Sequence, residues 1–225
     1  MKKYGAGFGP LLASCLSEEK RSTISGVIFL DKPRNWTSRK AVNEVARLLS
    51  RPGGERIKAG HAGTLDPMAT GMLPVLLGEA TRFAEIGLEA EKTYQVTFDL
   101  RMQTDTLDSE GEVIARFDTR PERQAVLSVA NQFTGPQQQV PPAYSAIRID
   151  GQRAYAMARK GSQVVLKPRP ISIQAIDLLD YSYPFVALRV RCSKGSYIRA
   201  LARDMGAALD AGGCVTDLRR LSTGG

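Results

Sequence analysis

Residues 27–30, Val-Ile-Phe-Leu, form a short continuous apolar run closed by Asp31-Lys32-Pro33, the pattern of a buried strand. Ala41, Val42, Val45, Leu48 and Leu49 then recur at helical spacing, with Thr37 or Ser38 available as a cap and Arg-Pro-Gly-Gly at 51–54 as a stop. Residues 72–77 predict a strand and 79–86 a helix. From 93 to 100 the pattern alternates: Tyr94, Val96 and Phe98 share one face, while Thr93, Gln95, Thr97 and Asp99 share the other. A polar turn at 104–111 leads to a returning strand at 113–117. Pro121 suits a first helical position, predicting a helix to about Phe133. Gly135-Pro136 should end that helix and leave 137–142 as a loop. The pattern then predicts a strand at 144–149, a turn at Asp150-Gly151, a basic helix around 153–160 and paired strands at 171–179 and 186–192. A helix near 197–209 and a last strand at 214–221 complete the series. Strands and helices mix without regular βαβ alternation. The predicted fold is therefore α+β, a mixed, mostly antiparallel central sheet with flanking helices.

Composition narrows the partner. The 225 residues suffice for one large domain or two small ones, and 43% hydrophobic with 24% charged content is ordinary for a globular protein. Lysine and arginine number 31 against 23 acids, a net charge of +8 that favours a polyanion. No apolar run approaches the roughly 18–20 residues of a membrane span, so nucleic acid is the better partner than a membrane. Cys15, Cys192 and Cys214 make no CxxC pair or disulfide framework, which fits a reducing compartment, and we expect the cytoplasm. With one histidine in the chain, they do not make a zinc site either. Residues 1–24 read as a flexible tail; its glycines at 5, 7 and 9 follow no strand, and Leu12-Ala13-Ser14-Cys15 lacks the apolar run of an export signal.

The chemistry concentrates in Gly60-His61-Ala62-Gly63-Thr64-Leu65-Asp66-Pro67-Met68-Ala69-Thr70-Gly71, which holds the only histidine. Pro67 restricts Asp66 to extended conformations, and the glycines permit turns or a close approach of another backbone. Asp66 is either a positioned reactive carboxylate or the cap of a helix or turn that begins at Pro67. A second concentration is basic: Arg148, Arg153, Arg159, Lys160, Lys167 and Arg169 stand against Asp150 alone, with Tyr155 among them. It is either a solvated helix face or an arm lying on phosphates, and the overall charge favours the arm.

The 60–71 stretch closely resembles the signature loop of the bacterial tRNA pseudouridine-55 synthase family. Further blocks follow in the family's order: Gly26 through Asp31-Lys32-Pro33; Lys92-Thr93-Tyr94; Thr104-Asp105-Thr106 with Asp108; Ser193-Lys194-Gly195-Ser196-Tyr197-Ile198-Arg199; and Leu218-Arg219-Arg220-Leu221. The resemblance covers about residues 25–223. It implies a pseudouridine synthase fold that isomerises a T-loop uridine of tRNA, without metal or organic cofactor, in a monomer that acts on the T stem-loop.

By resemblance, Asp66 is the catalytic aspartate, Arg199 the arginine that pairs with it, and Tyr94 the aromatic that stacks on the extruded base. Tyr197 and Leu218 match pocket walls. His61 matches the residue that fills space vacated by displaced bases. Lys32 supports the site and Asp108 organises it. Residues of about 140–168 match an insertion that clamps the RNA. By the resemblance, the chain departs from the family in having Arg101-Met102 after Leu100, where a glycine is common, and is expected to comprise the catalytic domain alone, either as a chain without the small C-terminal RNA-binding domain of many members or as a fragment of a longer one. Two other classes compete. A non-catalytic tRNA-binding or chaperone module would tolerate loss of Asp66. A hydrolase with paired carboxylates would need a second acid beside it.

Overall fold

The computed structural model describes residues 24–50, 53–145, 147–149, 151–158, 164 and 166–224. All but the last residue of the predicted 1–24 tail lies outside them. The described residues divide into two compact units, those up to Ala90 with Gly224, and those from Glu91 to Thr223.

In the first unit, β1 (Gly26–Lys32) runs antiparallel to β3 (Thr70–Leu77), from Gly26 opposite Leu77 to Lys32 opposite Gly71. The other edge of β3 takes the short β2 (Ala59–His61), with His61 opposite Val75. Leu73, Val75, Leu76 and Leu77 are buried, so the continuous apolar run reads as a strand covered on both faces. Helix α1 (Ser38–Leu49) buries Ala41, Val42, Val45, Ala46 and Leu49 and packs on β2 and β3. Thr37 is its cap: an extended residue whose hydroxyl accepts from the Lys40 amide at 3.1 Å. The helix ends at Leu49, before Arg51 and Pro52, which lie outside the described residues. The helix predicted at 79–86 is a 3₁₀ segment, Gly78–Phe83, followed by α2 (Ala84–Glu89).

In the second unit, five strands pair antiparallel in the order β12, β4, β11, β10, β7. They are β4 (Lys92–Asp99), β7 (Gly135–Gln139), β10 (Arg169–Ser182), β11 (Phe185–Cys192) and β12 (Cys214–Thr223). Tyr94, Val96 and Phe98 are buried and Thr93, Gln95 and Thr97 are not, as alternation predicts, but Asp99, expected on the polar face with them, is buried. A small hairpin joins β5 (Met102–Thr104) to β6 (Val113–Arg116). Helix α3 (Arg123–Gln132) lies on β10 and α5 (Ile198–Ala208) on β12. Between them in the chain, β8 (Arg148–Ile149), β9 (Gln152–Arg153) and α4 (Ala154–Ala158) occupy the predicted insertion.

Three expectations need correction. Helix α3 starts at Arg123, not Pro121, because Glu122 is its cap and the Pro121 carbonyl is taken by the Tyr181 hydroxyl. The loop predicted from 137 opens with the remainder of strand β7, whose place at the sheet edge tolerates Pro136 without the loss of a ladder bond. The strand predicted at 144–149 shrinks to two residues, since Tyr144 and Ser145 are bent away. The basic helix is seen over Ala154–Ala158, and its continuation at Arg159 and Lys160 lies outside the described residues. At Arg101, where a glycine is common, the turn is closed by a side chain instead: buried Asp99 accepts from the Arg101 amide at 2.8 Å and from its guanidinium at 2.7 and 3.1 Å.

Candidate active site

The loop around Asp66 is built from the first unit. Ala62, Leu65, Met68 and Ala69 are buried and anchor it as a row of apolar pegs. Gly87 lets α2 lie against it, since a Cβ there would sit 2.5 Å from that of Ala62. Gly63 and Gly71 take φ of 122° and 98°, conformations closed to other residues without strain. Gly60, by contrast, is an ordinary strand residue with open space around it.

Polar clamps hold the residues on either side of Asp66. Buried Ser38 donates its hydroxyl to the Leu65 carbonyl at 3.0 Å and accepts from the Leu65 amide at 2.8 Å. The Pro67 carbonyl accepts from the Asn35 amide at 2.8 Å and from the Lys32 ammonium at 3.3 Å. Lys32 is 0% exposed; its ammonium also donates to the carbonyls of Trp36 at 2.7 Å and Pro33 at 3.0 Å. A buried cation is costly unless satisfied, so this carbonyl cage fixes the turn as much as the turn accommodates the lysine. The Asp66 carbonyl accepts from the Ala69 amide at 3.1 Å, closing a turn over Pro67 and Met68; no helix begins at Pro67. The Asp66 side chain, half-buried, extends from a backbone pinned at both neighbours.

Tyr94, Asp108, Tyr197, Arg199 and Leu218 belong to the second unit. Arg199, the second residue of α5, is buried to 5% exposure. One guanidinium nitrogen lies 3.4 Å from the Asp108 carboxylate and donates to the Thr106 carbonyl at 2.7 Å. The other donates to the Tyr144 carbonyl at 3.0 Å. Asp108 is itself satisfied by the Thr106 hydroxyl at 2.7 Å and the Glu110 amide at 3.1 Å. The Tyr144 hydroxyl donates to Asp105 at 2.9 Å. Tyr197 enters α5 through a two-way bond with buried Gln139, its amide donating at 2.8 Å and its carbonyl accepting at 3.1 Å.

Tyr94 faces Arg220 across one ladder and Val190 across the other, and Leu218 faces Val96, so Tyr94, Leu218 and Arg220 share one face of the sheet. Arg220 is 1% exposed. Its burial, the Ser38 clamp and the Gln139 and Tyr144 contacts were not anticipated from sequence; a glutamine in a Gln run and a serine at a helix start carry no local mark of such roles. Among the described residues, no group of three or more His, Cys, Asp or Glu is placed to hold a metal ion, and no helix is long and apolar enough to cross a membrane.

Residues 51–198 match the family model for the TruB family pseudouridylate synthase (N terminal domain). A tRNA pseudouridine synthase B of Psychrobacter cryohalolentis is 46% identical over 220 residues, 95% of this chain and 61% of that protein. Its namesake in Aromatoleum aromaticum is 43% identical over 212 residues, 94% of this chain and 67% of that protein. The chain thus spans about three-fifths to two-thirds of the curated relatives it matches. Among solved structures, the crystal structure of a Cbf5–Nop10–Gar1 complex is similar at TM-score 0.69 and 28% identity, over 94% of this chain and 52% of that one. The structure of an H/ACA RNP bound to a substrate RNA containing 2′-deoxyuridine is similar at TM-score 0.65 and 28% identity, over 94% and 51%.

Proposed function

Because the chain belongs to the TruB family of pseudouridylate synthases, we propose that it isomerises the T-loop uridine of tRNA to pseudouridine. The bond from the ribose to N1 of the base breaks and a bond from the ribose to C5 forms. C5 loses a proton and N1 gains one, so the product is an isomer with no redox change. The observation that carries this reading is Asp66: a carboxylate whose neighbours Leu65 and Pro67 are both hydrogen-bonded to fixed groups. Such a group acts with little reorganisation, which is what positioned catalysis needs. Asp66 acts as nucleophile or as base on the sugar, with Arg199 as the cation that serves it. Removing the uridine from its stack costs a few kcal/mol, and stacking on Tyr94 returns about 1–3 kcal/mol. Tyr197 and Leu218 form pocket walls, His61 fills space left by displaced bases, and Lys32 and Asp108 hold the machinery in place. The substrate is bound as a polyanion by a chain of net charge +8.

The test is release of tritium from C5 of labelled uridine in an unmodified tRNA transcript, with wild type and Asp66→Asn. The wild type releases label and forms pseudouridine; Asp66→Asn does neither while still binding tRNA. Label release by the variant, or none by the wild type, sinks the assignment. Full activity of both would instead place the chemistry elsewhere, and binding without turnover by the wild type would favour a tRNA-binding module.

A further inference from the structure

Helix α1 presents two faces. The inner one clamps Leu65 through Ser38. The outer one borders an open depression of about 780 Å³ whose lining includes Arg39, Lys40, Asn43, Glu44, Arg47 and Arg56. Glu44, the one acid among the described lining residues, is engaged by Arg47 through two bonds of 2.5 and 3.1 Å, and this contact holds its carboxyl below the usual range. Arg39, Lys40 and Arg56 remain, exposed, and among the described residues no carboxylate is ion-paired with them.

Two of these three cations are held in place. Lys40 sits 4.7 Å from the Trp36 ring centroid, and Arg56 donates to the Asn43 carbonyl at 3.0 Å. Cations ordered before the ligand arrives lose less entropy on binding. Among the described residues the lining carries no large apolar side chain, so it offers nothing to insert into a lipid surface. Its charge and concavity suit a chain of phosphates.

We infer that the outer face of α1 is a phosphate-backbone contact for RNA, built on Arg39, Lys40 and Arg56. This rests on the proposed tRNA-modifying role, which supplies the RNA. The same helix then holds the Asp66 loop on one side and the substrate's backbone on the other.

The test is the triple variant Arg39→Gln, Lys40→Gln, Arg56→Gln in the full chain, titrated with an unmodified tRNA transcript across a range of salt. Each lost phosphate contact lowers the slope of log K against log salt by about 0.7–0.9. The expected result is a slope shallower by roughly 2–3 and affinity at least tenfold weaker near 0.1 M salt, with the thermal midpoint unchanged. Unchanged slope and affinity overturn the inference. So does weaker binding with an unchanged slope, which would mark a structural effect. Anionic vesicles serve as the second arm: loss of vesicle binding with tRNA binding intact overturns the inference in favour of a membrane contact. A wild type that forms no pseudouridine, alongside the expected change in slope, leaves this surface standing and removes only the catalytic reading.

Discussion

Lys32→Met is the perturbation that best separates the scaffold from the chemistry. Methionine keeps the apolar stem and approximate volume of lysine but removes the ammonium from its cage of three carbonyls. The cost is not the sum of three charged hydrogen bonds, because removing the ammonium also removes the penalty of burying it. What remains is the cost of the acceptors left behind, about 1–3 kcal/mol for each buried one. Pro33 is exposed, so water can replace the donor to its carbonyl. The Pro67 carbonyl keeps the Asn35 amide at 2.8 Å. The Trp36 carbonyl, in a half-buried residue with the shortest of the three contacts, bears most of the loss. The expected destabilisation is about 2–3 kcal/mol, a fall of roughly 4–12 °C in Tm at this chain length. Denaturant unfolding and a thermal melt give the stability term; single-turnover conversion of tRNA below the new Tm gives the effect on the loop. We expect turnover to fall more than tenfold in the still-folded variant, because the Pro67 carbonyl next to Asp66 loses one of its two donors. A variant with wild-type Tm and wild-type turnover would refute the argument that this cage holds the loop.

Other perturbations test other parts of the structure. Asp108→Ala removes the carboxylate 3.4 Å from the guanidinium of buried Arg199, and breaking such a buried pair costs about 3–5 kcal/mol in chemical denaturation; a loss below 1 kcal/mol would show that the other contacts of Arg199 suffice. Gly71→Ala forces a Cβ onto a backbone with φ of 98°, expected to cost about 1–3 kcal/mol and to lower turnover as β3 shifts against Lys32; an unchanged melt argues against strain there. Burial pushes the Cys192 thiol up to about 11, so at pH 8 it is both covered and protonated. Iodoacetamide followed by peptide mapping should leave Cys192 unlabelled in the folded protein and label it in urea; rapid native labelling would refute its burial.

The local code of this chain was legible from residue order alone. Alternation at 93–100 placed β4 and chose its buried face, helical spacing from Ala41 to Leu49 placed α1, and Pro67 kept Asp66 out of a helix. These outcomes depend on a residue and its near neighbours, so period and backbone sterics decide them. The resemblance also picked out the blocks in which the candidate residues lie. Edge and insertion segments were less legible. Nothing local tells a Gln-rich run that β10 will pair with it, or tells residues 144–145 that Arg199 will take a carbonyl from their bend. Only the tertiary structure decided the clamps. Ser38 meets Leu65 across 27 positions, Lys32 meets Pro67 across 35, Gln139 meets Tyr197 across 58 and Arg199 meets Thr106 across 93. A hydrogen bond needs its partners within about 3 Å and aligned, and chain order does not set that distance. It is set by the packed sheet and helices, which bring a helix-start serine and a strand-end lysine to either side of one aspartate.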